Sequence, residues 1–391
     1  MPAHQTATHN KTGQYCKNNT HPNSCGSGGL RRCRKLINCG LYLKRQGKTV
    51  TIGELISERG AQWRVLDMGR RIEEVPAEIF TAFEQQQQPW PVPYLKHAWV
   101  GILSWDAQQP GQHNIWFLKL PLDEQNLLQA APRDAFVQFI LRSAAAPDKE
   151  HGDAPCSYKP DANRMAYFHA LALQTLQQPA TAFYTTARSY LSGDQGWDNW
   201  QQLGLQGLAE VVARLEQDHN SALLTAALPH LPAVPRNVLL GFLENAAPDQ
   251  ALTSAINDVL AMVVGHQPTV ADLAAFARAL SNSVNMEQRR QLLAVLLQHP
   301  LCRHVEVLAA IGSRCWRDLH GELLLSYLEA LARNEQGSGA FNALVADLLA
   351  LPGLRAHFMH ALASPARSAE LVTAMARLLE QARAADGGRL Q

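Results

Sequence analysis

Residues 269–312 read TVADLAAFARALSNSVNMEQRRQLLAVLLQHPLCRHVEVLAAIG. Val270, Leu273, Phe276 and Leu280, and then Leu301, Val305, Leu308 and Ile311, recur at three- and four-residue spacing, so each run lays one apolar stripe along a helix. Leu324, Leu328 and Leu331 continue the pattern, and prolines such as Pro248, Pro268, Pro300, Pro352 and Pro365 punctuate it. Helix starts near Arg236, Thr269, Leu301 and Gly337 recur every 32 to 36 positions, with second starts near Asp249, Met286, Arg317 and Gly353. Paired helices at that period predict a stack whose units bury their apolar faces only against one another. The expected fold is therefore an all-α, HEAT-like helical-repeat region, an α-solenoid, over residues 163–391; a single irregular bundle is the alternative.

Upstream of that region the period changes. TIGELISERG, opening at Thr51, predicts a first helix, and WRVLDMGRRIEEV predicts a strand that turns at Asp67-Met68-Gly69. AEIFTAFEQQQQ supplies Ile79, Phe80 and Phe83 at helical spacing and stops at PWPVPY. AWVGILSW sets Trp99, Gly101, Leu103 and Trp105 on one face, and NIWFLKL alternates in the same way. Pro110-Gly111 between them predicts the turn of an antiparallel hairpin. In PLDEQ the acidic pair Asp123 and Glu124 suits the start of the next helix. The sum is a small α+β unit, residues 50–146, joined by a 147–162 linker to the helices. It has no glycine-rich phosphate loop after a strand.

Composition bounds the function. Residues 1–49 hold nine Lys and Arg and no acid, leaving 26 basic against 34 acidic side chains elsewhere. A body with an acidic excess is not built to neutralise a phosphate backbone, so nucleic-acid binding would fall to the first 49 residues. Those residues are polar and are expected to be a disordered basic extension, or upstream sequence translated ahead of a true start at Val50. Cys16, Cys25, Cys33 and Cys39 there lack the close CxxC or HxxxH pairs of a zinc site. No apolar run is long enough to span a bilayer, and the scattered Cys156, Cys302 and Cys315 read as reduced thiols, so a cytoplasmic protein is expected.

Candidate chemistry is sparse. No GxSxG elbow, Walker loop or kinase set occurs, and no metal or cofactor is expected. His299, Cys302 and His304 sit close in sequence, but positions 302 and 304 diverge by about 200° on a helix. Around the LDMGRR turn, Asp67, Gly69, Arg70 and Arg71 could hold an anion or a partner carboxylate. The alternative has Asp67 capping the turn, Gly69 at positive φ and the arginines in water. Trp90 and Tyr94 of PWPVPY could offer a polyproline-type element to a partner, or could pack a rigid connector onto the sheet.

The strings VLDMGRRI, PWPVPY with its Trp99 strand, and WFLKLPLDEQ resemble the N-terminal signature of the bacterial family called domain of unknown function 3549. The resemblance runs from about Thr51 to the C-terminus. It implies a bacterial cytoplasmic protein and a start near Val50, and it supplies no activity. The functional expectation is a non-enzymatic scaffold that binds another protein through its helices, with the α+β unit at the N-terminal end of the array. The alternative is a hydrolase or transferase with its site near Asp67, Arg70 and Arg71.

Overall fold

A computed structural model describes residues 50–58, 60–146 and 152–387 of the chain. The expectations for the first 49 residues, including zinc and an upstream start, lie outside these described residues.

The N-terminal part is an antiparallel four-stranded sheet in the order β2-β1-β3-β4, built from β1 (Ala61–Asp67), β2 (Glu73–Val75), β3 (His97–Asp106) and β4 (Gln109–Pro121). Helices α1 (Ile52–Ser57), α2 (Ala77–Glu84) and α3 (Ala130–Ala145) cover one face. Strand alternation decides which side chains they meet: Val65, Ala98, Val100, Ile102, Leu118 and Leu120 pack there with Phe80, Phe83, Trp90 and Phe136. The N-terminus of α1 is doubly held. Thr51 and Glu54 form a capping box, and Glu84 accepts from the Ile52 and Gly53 amides at 2.6 and 3.0 Å.

The hairpin forms as expected, but its turn lies earlier. Asp106 pairs with Gln109, leaving a two-residue loop, and Asp106 Oδ1 accepts from the Gln108 amide at 2.8 Å. That Asx turn forms first, and Pro110 sits inside β4, where an edge strand tolerates its missing donor. Asp123 does not open a helix either. Its Oδ1 accepts from the Gln125 and Leu127 amides, which closes a turn and delays the helix to Ala130. Residues 154–158 line the free edge of β4: Ser157 bridges Leu118, and the Lys119 amide donates to Cys156 O.

From Ala162 onward the chain is helical: α4 (Ala162–Thr175), α5 (Ala182–Leu191), α6 (Leu205–Ala213), α7 (Asn220–Ala227), α8 (Ala233–Leu243), α9 (Gln250–Gly265), α10 (Val270–Leu280), α11 (Met286–Gln298), α12 (Val305–Arg314), α13 (Gly321–Ala332), α14 (Ser338–Leu349), α15 (Leu354–Ala363) and α16 (Ala369–Gly387). Two predicted starts move by four residues, because short 3-10 turns at Pro300–Arg303 and Trp316–Asp318 precede α12 and α13. Each helix from α4 to α13 packs against the next but one, so the even-numbered helices make one row and the odd-numbered ones a second; α16 closes the end against α13 and α14. One apolar core runs through the rows as far as Met375.

The second face of the sheet docks on these helices, which places the α+β unit along the even row, from α4 at its N-terminal end as far as α14. Leu66, Leu103, Trp99, Trp105 and Phe117 join the helical core there. Gly101 explains how closely they approach. A Cβ on it would lie 2.5 Å from the Phe168 ring of α4, so only glycine lets the helix settle on the strand.

Candidate functional site

The turn between β1 and β2 is buried among helix ends. Asp67 caps it: Oδ2 accepts from the Gly69 and Arg70 amides at 3.1 and 3.2 Å, and Oδ1 from Trp90 Nε1 at 3.1 Å. Burial pushes the Asp67 carboxyl up to about 7, against the opposing Trp90 donor and the charge of Arg164. Gly69 is not among the positive-φ residues; it is small because Tyr94 Cβ and the Trp99 ring stand 3.0 and 3.4 Å from where its Cβ would be.

Arg70 and Arg71 point neither to water nor to a free ligand. Arg70 is fully buried; its Nε donates to Pro93 O at 2.9 Å, and Nη2 donates to Asp347 O and Oδ2 at 3.0 and 2.8 Å. Arg71 donates through Nε to Glu244 O at 2.7 Å, through Nη1 to Asn282 Oδ1, and through Nη2 to Ser281 O. The carboxylate that the arginine pair could hold is thus, for Arg70, the chain's own Asp347. Trp316 lies 5.7 and 5.4 Å below the two guanidiniums, and Tyr94 lies 5.5 Å from Arg70.

The partners share a location in their helices. Glu244 and Ser281 are the C-caps of α8 and α10, Arg314 ends α12, and Asp347 lies in the last turn of α14. Unpaired carbonyls and the negative dipole end collect at helix C-termini, so buried guanidiniums there satisfy both. Ile72 N to Asn245 Oδ1, Leu95 N to Asp347 Oδ1 and Asn126 Nδ2 to Ala350 O extend the same seam.

Trp90 is fully buried, its ring tilted against Phe83 at 4.9 Å, and Tyr94 packs 6.4 Å from Trp99; PWPVPY is therefore a connector clamped to the sheet. The six residues singled out in the sequence do gather around one turn and make internal contacts, although Arg70 Nη1 is buried with no hydrogen-bond partner among the described residues.

Beside this turn the seam leaves a cavity of about 440 Å³. Met68, Gly69, Trp99 and Tyr158 form one wall, and Gly241, Arg278 and Arg314 another. Among its charged groups, Lys159, Arg164, Arg278 and Arg314 outnumber Asp161 and Glu244. Burial alone would raise the Glu244 carboxyl, but Arg314, 2.7 Å away, and Arg164 hold it below the ordinary carboxylate value. Arg164 is committed to Met68 O and, at 3.5 Å, to Asp161. Sequence reading missed this site: its residues come from six separated segments, and only the folded seam joins them.

The histidine and cysteine cluster gives no further centre. His304 pairs with Glu335 at 3.1 Å, while the Cys302 and Cys315 thiols are buried against backbone carbonyls, and burial pushes Cys315 up to about 12. Phe358 is buried in the core, and Met359 is exposed. Among the described residues no group of three or more His, Cys, Asp or Glu could hold a metal, and no helix is long and apolar enough to cross a membrane.

The family model described as Protein of unknown function (DUF3549) matches residues 48–379. No curated protein and no solved structure matches the chain.

Proposed function

Since the chain belongs to the DUF3549 family, which carries no assigned chemistry, we propose from its own geometry that it is a non-enzymatic scaffold whose helical array binds another protein. The observation that carries this reading is the two-row packing in which each helix rests on the next but one. Stacked helix pairs of that kind make a HEAT-like α-solenoid, an architecture that offers a long continuous surface. The even row is occupied at its C-terminal ends by the arginine turn, so the partner surface is the odd row, where Met262 on α9, Val295 on α11 and Met359 on α15 stand exposed. We read residues 50–146 as an α+β domain and 163–391 as the repeat domain, in a bacterial cytoplasm that suits the free thiols of Cys156, Cys302 and Cys315.

The alternative, a hydrolase or transferase centred on Asp67, Arg70 and Arg71, would need substrate to reach side chains that are at most 2% exposed. No observation favours it over the scaffold. Affinity purification from the source cells with wild type and with Met262→Asp/Val295→Asp tests the scaffold. A partner recovered reproducibly with wild type and lost with the variant supports it; recovery of none, or one indifferent to the substitutions, refutes it.

A further inference from the structure

The seam cavity has features that the scaffold reading does not use. Three guanidiniums, from Arg164, Arg278 and Arg314, surround the single carboxylate of Glu244, and the Asp161 carboxylate balances only Arg164. Arg278 is the one left under-used: its nearest anion is Glu244 at 4.0 Å, its guanidinium makes no hydrogen bond among the described residues, and its side chain is 37% exposed toward the opening. On the other wall, the Tyr158 hydroxyl is buried and has no hydrogen-bond partner among the described residues. A buried hydroxyl normally finds one, and leaving it unpaired costs free energy that a bound acceptor would recover. Both groups therefore lack the same thing, an oxygen acceptor.

The remaining wall is aromatic. The Trp99 and Tyr158 rings meet edge to face at 4.8 Å, and α8 presents Gly241, where a Cβ would meet nothing within 4 Å. The volume of about 440 Å³ is that of a small-molecule site.

We propose that this cavity binds a small organic oxyanion, a phosphate or carboxylate carried on a planar ring, with Arg278 and the Tyr158 hydroxyl donating to the anion and Trp99 lining the ring. Arg164 and Arg314 supply the surrounding positive field while remaining tied to their own partners. The site forms only when the α+β unit is seated on the helices, since its two walls belong to the two parts.

Titration calorimetry of the full chain with phenyl phosphate, benzoate and phenol tests this. At least one anion binds, phenol binds more weakly than the better anion, and that anion identifies the head group. Arg278→Gln weakens that anion about tenfold, the loss expected for one charge-assisted hydrogen bond. Gly241→Leu, which fills the cavity from a helix position with open space, abolishes binding while circular dichroism and the melting temperature stay at or above wild type. Failure of both anions to bind at millimolar concentrations, phenol binding as tightly as they do, or anion affinity unmoved by Arg278→Gln would each overturn the assignment. So would undiminished binding by a folded Gly241→Leu.

Discussion

Replacing Arg70 with methionine tests the seam most directly. Arg70 has no exposed surface, and the side chain of its partner Asp347 is 7% exposed. Without the guanidinium, the Asp347 carboxylate keeps only the Leu95 amide and its negative charge stays buried near the end of α14. Removing one partner of a buried ion pair costs about 3–5 kcal/mol, and most of that cost comes from the charge left behind. Asp347→Asn keeps the acceptor for Leu95 and removes the charge, so the double variant regains part of the loss. The expected coupling between the two changes exceeds about 1 kcal/mol. Urea unfolding gives the numbers through two probes. Five of the eight tryptophans (Trp63, Trp90, Trp99, Trp105 and Trp116) lie in the α+β unit, so fluorescence follows that unit, while far-ultraviolet circular dichroism follows the helices. The two transitions should coincide in wild type and separate in Arg70→Met. If the two substitutions add to within about 0.5 kcal/mol, or if Arg70→Met costs under about 1 kcal/mol, this account of the seam is wrong.

Gly101→Ala drives a methyl group into the Phe168 ring, and overpacking of this kind costs about 1–3 kcal/mol; Phe168→Leu should relieve part of it in the double variant, read from urea midpoints. Burial raises the Glu84 carboxyl from 4.5 to about 7, so the folded chain keeps that proton to higher pH than the unfolded chain. The group's contribution is therefore present at low pH and is lost as pH climbs from 4.5 through about 7. Asp67 has the same sign, so Glu84→Gln should shallow the fall in melting temperature across that window without removing it; an unaltered slope would contradict the assignment. Among Cys156, Cys302 and Cys315, peptide mapping after brief alkylation of the native protein should find Cys156 labelled first, because the other two thiols are buried.

Much of the helical part could be read from sequence because its signals are local. Stripes such as Val270-Leu273-Phe276-Leu280 and caps such as Thr269 with Asp272 act within a single helix, and the structure places the elements where those signals lie. The face of Trp99, Gly101, Leu103 and Trp105 was legible for the same reason, although what covers it was not. Side-chain competition at turns caused the boundary errors: Asp106 and Asp123 captured nearby amides before Pro110-Gly111 or a helix could form. The arginines were misjudged for a different reason. Local pattern makes Arg70 and Arg71 surface residues, and contacts with residues 23 to 277 positions away bury them. Arg278 and Tyr158 could not be paired from sequence at all, since neither belongs to a motif.

The placement of residues 68–72 also bears on mechanics. A stack of helices held only by neighbour contacts behaves as a spring, bending a little at each joint. Here one short crosspiece grips the ends of α8, α10 and α14, so those joints cannot flex independently. Bending of that stretch then requires the crosspiece to let go, so its shape would change in steps instead of continuously.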